Sequence, residues 1–151
     1  MNKEKVFEVT IRETINEDLL SGLLSNASSS TCGFDFWQVE REQDYVDAAA
    51  ELREERGLTD HEICIEDIWA RVLFNGGHLL LLESESDAID DYESPDWHRI
   101  GLEDICNGIT QYLRERPCSE CSSLLEIVDE GDFWDADAVM QYAAYKEIIF
   151  G

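Results

Sequence analysis

A chain of 151 residues with 44% apolar side chains has material for one hydrophobic core rather than two, so a single domain is expected. Four Trp, five Tyr and six Phe exclude the disordered class despite a charged content of 30%. The 35 Asp and Glu against 11 Lys and Arg leave a formal charge of −24, which excludes direct nucleic-acid binding on sign alone, because no basic patch can repay phosphate desolvation.

Residues Val6 to Ile11 alternate Phe7, Val9 and Ile11 with Glu8, Thr10 and Arg12, the pattern of a half-buried strand. Asn16 then caps a helix whose stripe is Leu19, Leu20, Leu23 and Leu24. A polar loop, Asn26 to Thr31, precedes a second strand over Gly33 to Val39 that carries Phe34, Phe36, Trp37 and Val39. Asp44 to Arg56 reads as a helix with Ala48, Ala49 and Leu52 inward and Gly57 as its stop. From Ile65 a further helix presents Ile65, Ile68, Trp69 and Val72 on one face and ends at Asn75-Gly76-Gly77. The run Leu79-Leu80-Leu81-Leu82 predicts a buried central strand, with Trp97 to Ile100 paired to it. Leu102, Ile105, Ile109, Tyr112 and Leu113 form the clearest amphipathic helix, and Pro117 marks its end. Leu124 to Val128 fits helix or strand; Asp135 is read as the cap of a last helix with Ala138, Val139, Tyr142 and Ala143, before an apolar tail or strand over Glu147 to Phe150. This mixture lacks the strict alternation and glycine-rich turns of a nucleotide-binding α/β fold. An α+β domain, helices packed on a mainly antiparallel sheet, is therefore expected over residues 1–151.

Acids gather in two places. Glu83, Glu85, Asp87, Asp90, Asp91, Glu93 and Asp96 lie between Leu82 and Trp97, and no Lys or Arg occurs from Val72 to His98. The second group is Glu126, Asp129, Glu130, Asp132, Asp135 and Asp137. Duplex DNA carries a negative charge for roughly every 1.7 Å of axis, so carboxylates on a rigid surface can imitate its phosphate track and occupy a basic groove. The plainer accounts are solvated loops, or a solvent adaptation of an acidic proteome. Trp97, Phe133 and Trp134 adjoin the acids as candidate apolar anchors, or serve as ordinary core aromatics.

Metal and catalytic signals are weak. Asp129-Glu130-Gly131-Asp132 has the wrong register for a calcium loop. Cys118-Ser119-Glu120-Cys121 is a lone C-x-x-C to which Cys106 and His98 are the available additions for zinc; Cys106 itself reads as a small apolar residue facing inward. Cys32, Cys64, Cys106, Cys118 and Cys121 are odd in number and fit reduced thiols. His61-Glu62-Ile63-Cys64 lacks the second histidine of a zinc protease, and His78 reads as orienting a strand. No catalytic residue, metal or cofactor is expected. The opening Met1-Asn2-Lys3-Glu4-Lys5 leads into an alternating segment, and no stretch approaches the roughly 20 apolar residues of a membrane span, so a cytoplasmic protein with no membrane partner is expected.

The C-terminal stretch from Asp135-Ala136-Asp137-Ala138-Val139 through Tyr142-Ala143-Ala144-Tyr145 to Ile148-Ile149-Phe150-Gly151 resembles the ending of a group of small acidic, uncharacterised proteins of bacterial phages and conjugative elements. The similarity extends weakly to Gly76-Gly77 with the leucine run and to Leu102-Glu103-Asp104, while the middle of the chain departs from it. The resemblance carries no catalytic residues. It implies an anti-defence setting, such as anti-CRISPR or anti-restriction proteins that occlude a DNA-binding surface. The resulting expectation is a non-enzymatic inhibitor that binds a basic nucleic-acid-binding protein, such as a host defence nuclease or effector complex, through Glu83 to Asp96 with help from Asp129 to Asp137. Two alternatives stand beside it: an accessory mobile-element protein that dimerises through Ile148-Ile149-Phe150, and a metal-dependent enzyme.

Overall fold

The leucine run forms the middle of a three-stranded antiparallel sheet in the computed structural model, which describes residues 12, 14–30, 32–57, 62–115 and 123–150. In chain order the described elements are α1 (Glu17–Ser28), β1 (Phe34–Val39), α2 (Glu42–Arg56), α3 (Ile65–Phe74), β2 (Leu79–Glu83), β3 (Trp97–Ile100), α4 (Leu102–Glu115), α5 (Leu124–Asp129) and α6 (Phe133–Tyr145). The fold is α+β. The strand expected at Val6 to Ile11, and Pro117, Cys118, Cys121 and His61, lie outside the described residues.

Local chemistry sets most of the boundaries. Asn16 Oδ1 accepts the Leu19 amide at 2.8 Å, starting α1. Gly57, at φ 62°, ends α2 with its amide on the Arg53 carbonyl. Gly76 takes φ 92° after α3, and a Cβ on Gly77 would sit 2.7 Å from Val72 Cγ1, so both glycines of the turn are needed. α2 begins at Glu42, two residues before the expected start, and Ile65, at the exposed first position of α3, does not join Ile68, Trp69 and Val72 in the interior. The ambiguous segment from Leu124 is a helix, capped by Ser123, whose hydroxyl accepts the Glu126 amide. The cap of α6 is Asp132, not Asp135; Asp135 occupies the third helical position and accepts the Asp132 amide in return, closing a capping box.

β2 pairs with β1 and β3 in a register that sorts the side chains onto two faces. Trp37, Leu81 and His98 align toward the helices, as do Val39, Leu79 and Ile100. Phe36, Leu82 and Trp97 align on the opposite face with Gln38, Leu80 and Arg99. A bulge at Asp35 separates Phe34, opposite Glu83, from Phe36, opposite Leu82. The extra residue therefore turns Phe34 into the core, although Phe36, two residues on, faces outward.

The helices bury the inner face. α6 runs through the centre, with every residue from Asp135 to Ala143 buried. α4 lies close against it because a Cβ on Gly108 would meet the Val139 carbonyl oxygen at 2.5 Å. Ile105, Ile109 and Tyr112 of α4 join Leu20, Leu23 and Leu24 of α1 in the main core, while Ala48, Ala49 and Leu52 of α2 pack with Ile68 and Val72 of α3 in a smaller cluster beside Val39. The tail after α6 is not a strand. Gln141, fully buried, holds it by accepting the Ile149 and Phe150 amides at 2.8 and 2.9 Å and donating to the Phe150 carbonyl at 2.7 Å.

Candidate functional site

The connection from β2 to β3 folds back on the outer face of the sheet as an ordered loop. Four turns shape it, closed by amide-to-carbonyl bonds from Ser86 to Glu83, Asp91 to Ala88, Ser94 to Asp91 and Trp97 to Ser94. Asp35 pins its start by accepting the Glu85 amide at 2.9 Å, and the Trp97 indole donates to the Ala88 carbonyl at 2.9 Å. The Tyr92 ring lies against Trp97 with centroids 5.2 Å apart, and its hydroxyl reaches Gln38 on β1. This layer explains why Leu82 and Trp97 are buried although they face away from the helices. Short polar side chains tie the loop to itself: Ser86 Oγ donates to Asp96 and accepts the Ala88 amide, and Ser94 Oγ accepts the Asp96 amide.

Of the seven acids expected here, Glu85, Asp87, Asp90, Asp91 and Glu93 are exposed on this scaffold. Glu83 and Asp96 sit at the neck and turn the other way, toward Tyr145. Burial pushes the Glu83 carboxyl up, aided by its hydrogen bond to Asp96 and the Asp96 charge. Burial, with Glu83, Asp137 and Asp96 nearby, raises the Tyr145 hydroxyl above its ordinary value. His98, packed edge-on to Tyr145 with centroids 4.7 Å apart, is held below its ordinary value by burial, against the pull of Asp96. Its Nε2 is buried and has no hydrogen-bond partner among the described residues.

The second acidic group divides. Asp129, Glu130 and Asp132 are exposed, and Glu126 is half-buried. Asp135 and Asp137 are not surface residues: they are 4% and 1% exposed. Asp135 accepts the Tyr112 hydroxyl as well as the Asp132 amide, and Asp137 accepts the Gly33 amide at 3.0 Å and the Gln141 amide nitrogen at 2.7 Å. Burial raises the Asp137 carboxyl despite those two donors. Neither can touch a partner, because both are spent joining α6 to α4, to β1 and to the tail.

The anchors sort similarly. Trp97 lies beneath Tyr92 and Trp134 packs against the core, whereas Phe133 is exposed. The exposed apolar side chains on this side of the sheet are different ones: Phe36 of β1 and Ile89 and Tyr92 of the loop, exposed by 47%, 40% and 57%. Phe36 faces outward by alternation with inward Trp37 and Val39, and the bulge at Asp35 masks this by letting Phe34, two residues earlier, face the core.

Charge pairing is lopsided. Arg71 bonds Glu17 at 2.7 Å and both Glu55 oxygens, lies 3.7 Å from Glu51, and holds the Glu55 carboxyl below its ordinary value. Arg56 meets Asp67 at 2.8 Å, and Arg99 pairs with Glu40. These pairs tie Glu17, Glu40, Glu51, Glu55 and Asp67 to bases; none of them reaches the five exposed acids of the β2–β3 loop, whose segment has no Lys or Arg of its own.

An open groove of about 610 Å³ lies at the other end of the sheet, lined by His78, Gly101, Asp104 and Cys106 among others. Asp104 accepts the Gly101 amide, and His78 Nδ1 faces the Arg99 guanidinium at 3.1 Å. Burial, with Glu103 beside it, pushes the half-buried Cys106 thiol up, the reverse of what activates a cysteine nucleophile. His98 packs against Phe34 and Tyr145 while Cys106 lines this groove, and among the described residues no group of three or more His, Cys, Asp or Glu is arranged to hold a metal ion. Among the described residues no helix is long and apolar enough to cross a membrane. No family model matches the chain, and neither a curated protein nor a solved structure matches it.

Proposed function

We propose that the protein is a non-enzymatic inhibitor that binds a basic nucleic-acid-binding protein in the cytoplasm, presenting the β2–β3 loop where the target would hold a phosphate backbone. The observation that carries this reading is the loop itself: Glu85, Asp87, Asp90, Asp91 and Glu93 are exposed on a hydrogen-bonded scaffold and, among the described residues, meet none of the bases that engage acids elsewhere. Because the turns already order the backbone, docking does not have to order the loop, and the field of its carboxylates steers a cationic surface toward them. Glu85 adds a second support. It adopts φ 66°, a left-handed conformation that costs an L residue about 1 kcal/mol and that glycine takes freely, yet the position carries a carboxylate. The setting implied by the C-terminal resemblance, an anti-defence protein of a mobile element, is compatible with this reading. Asp129, Glu130 and Asp132 remain available as a lesser acidic surface; Asp135 and Asp137 have no part in it.

The test is competition. For each protein retained from a bacterial lysate by the immobilised chain, duplex DNA bound to that protein is titrated with the native chain and with the Asp87→Asn/Asp90→Asn/Asp91→Asn/Glu93→Gln variant. The native chain displaces the duplex competitively, less effectively as salt rises, and the variant needs a much higher concentration. Equal displacement by the two chains, or none by either, defeats the reading.

A further inference from the structure

We propose that the outer sheet face at Phe36, Ile89 and Tyr92 is the energetic centre of docking, and that it receives arginine side chains of a basic polypeptide. This rests on the reading of the acidic loop as the docking face and adds the chemistry of what it recognises. Register and loop bonding put Phe36 and Tyr92 on one stretch of the outer face, with Ile89 exposed on the same loop. Phe36 lies on the Leu82–Trp97 row, Tyr92 covers Trp97 and reaches Gln38, the next outward residue of β1, and Ile89 follows Ala88, whose carbonyl receives the Trp97 indole. An open aromatic face beside exposed carboxylates that meet no base among the described residues suits a planar cation. Guanidinium stacks on aromatic rings and forks onto carboxylates, whereas ammonium is a more strongly hydrated point charge. Docked apolar anchors surrounded by charged groups also match the usual division between the centre and the rim of an interface. A second copy of this chain is a poor occupant, since it would bring another −24 to the same acids.

The experiment uses two probes, a deca-arginine and a deca-lysine peptide, titrated at 0.15 M salt against the full chain, with thermal melting of every variant as a check on folding. The native chain prefers deca-arginine. Tyr92→Leu and Phe36→Ser each weaken deca-arginine binding about 3- to 10-fold and deca-lysine binding less than about 2-fold, so the preference shrinks. Tyr92→Phe keeps the ring, loses only the bond to Gln38, and retains the preference. The Asp87→Asn/Asp90→Asn/Asp91→Asn/Glu93→Gln variant weakens both peptides alike. If that acid variant is weakened while the arginine preference is the same in Tyr92→Leu and Phe36→Ser as in the native chain, the aromatic centre is wrong and the acidic face stands. If the acid variant binds both peptides as the native chain does, the docking face itself is misplaced and the inference falls with it. Self-association of the native chain, abolished by Phe36→Ser, would assign the face to a second copy instead.

Discussion

Two acidic stretches of similar density end in opposite situations. The loop from Glu83 to Asp96 holds five carboxylates in solvent, while the segment from Glu126 to Asp137 folds two of its six into the interior. The difference lies in what surrounds the acids. Asp135 and Asp137, two residues apart on a helix, point about 200° from each other, so a helix flanked on several sides cannot turn both to water. α6 is such a helix, its alanines admitting α4 on one side and the sheet on another. The loop carries only Ala88, Ile89 and Tyr92 as apolar residues, enough to seat it on Leu82 and Trp97 but not to draw its acids inward. Carboxylate density therefore marks a surface only where the intervening residues offer nothing to bury.

The contrast is sharpest in stability. Gln141→Ala removes the acceptor of the Ile149 and Phe150 amides and one of the two donors to the Asp137 carboxylate, and is expected to cost about 2–4 kcal/mol in urea unfolding. Asp135→Ala removes half the capping box and the acceptor of the Tyr112 hydroxyl, for about 2–3 kcal/mol. Gly33→Ala tests the same junction from β1, since its Cβ would stand 2.9 Å from Gln141 Cγ and 3.0 Å from Asp137 Oδ1; about 1–3 kcal/mol is expected. Neutralising Asp87, Asp90, Asp91 and Glu93 together should stay within about 0.5 kcal/mol of the native chain. A loss there as large as that of Asp135→Ala would erase the distinction between the two stretches.

Titration separates them again. The folded Asp137 carboxyl lies above its unfolded value, so the folded chain holds that proton more tightly. The resulting stabilisation is fully present below the unfolded carboxyl value of about 3.9 and is lost as pH rises through the raised folded value. His98 acts in the reverse sense: its folded value is lowered, so stability is lost as pH falls through about 6.5 toward that value. In Asp137→Asn the decline on raising pH from about 4 should be shallower than in the native chain, whatever the absolute cost of the substitution. An unchanged slope would show that the buried carboxyl does not govern it.

Much of the fold was legible because it depends on local chemistry. Asn16 and Gly57 announce the ends of their helices, the leucine run reads as a central strand, and Trp97 to Ile100 pairs with it as its pattern suggests. What escaped depends on contacts distant in sequence. Asp132 and Asp135 can each be read as a cap, and the Tyr112 hydroxyl from α4, far off in sequence, is one bond that holds the second inside. Asp137 is acidic in sequence and structural in space because Gly33, 104 residues away, lends it an amide. Phe36 is hidden by the bulge, and Tyr92 by a loop whose order comes from Asp35 and Trp97. The acids of the loop were visible in the sequence; the apolar centre among them was not.

The smallest effect divides stability from binding at a single position. Glu85 follows Ser84 in the turn closed by the Ser86 amide on the Glu83 carbonyl, and its left-handed backbone is held by the Asp35 carboxylate on its own amide. Glycine there relieves the contact between Cβ and backbone, worth about 1 kcal/mol, but adds about 0.5–1 kcal/mol of freedom to the unfolded chain, so Glu85→Gly should gain about 0–0.5 kcal/mol. The same substitution removes an exposed carboxylate from the docking face and should weaken displacement of duplex DNA from the target. A chain that is more stable and a poorer competitor would mean that the strain is retained for the sake of the carboxylate. A chain that is more stable and equally competitive would place Glu85 outside the interface and confine the docking face to Asp87 through Glu93.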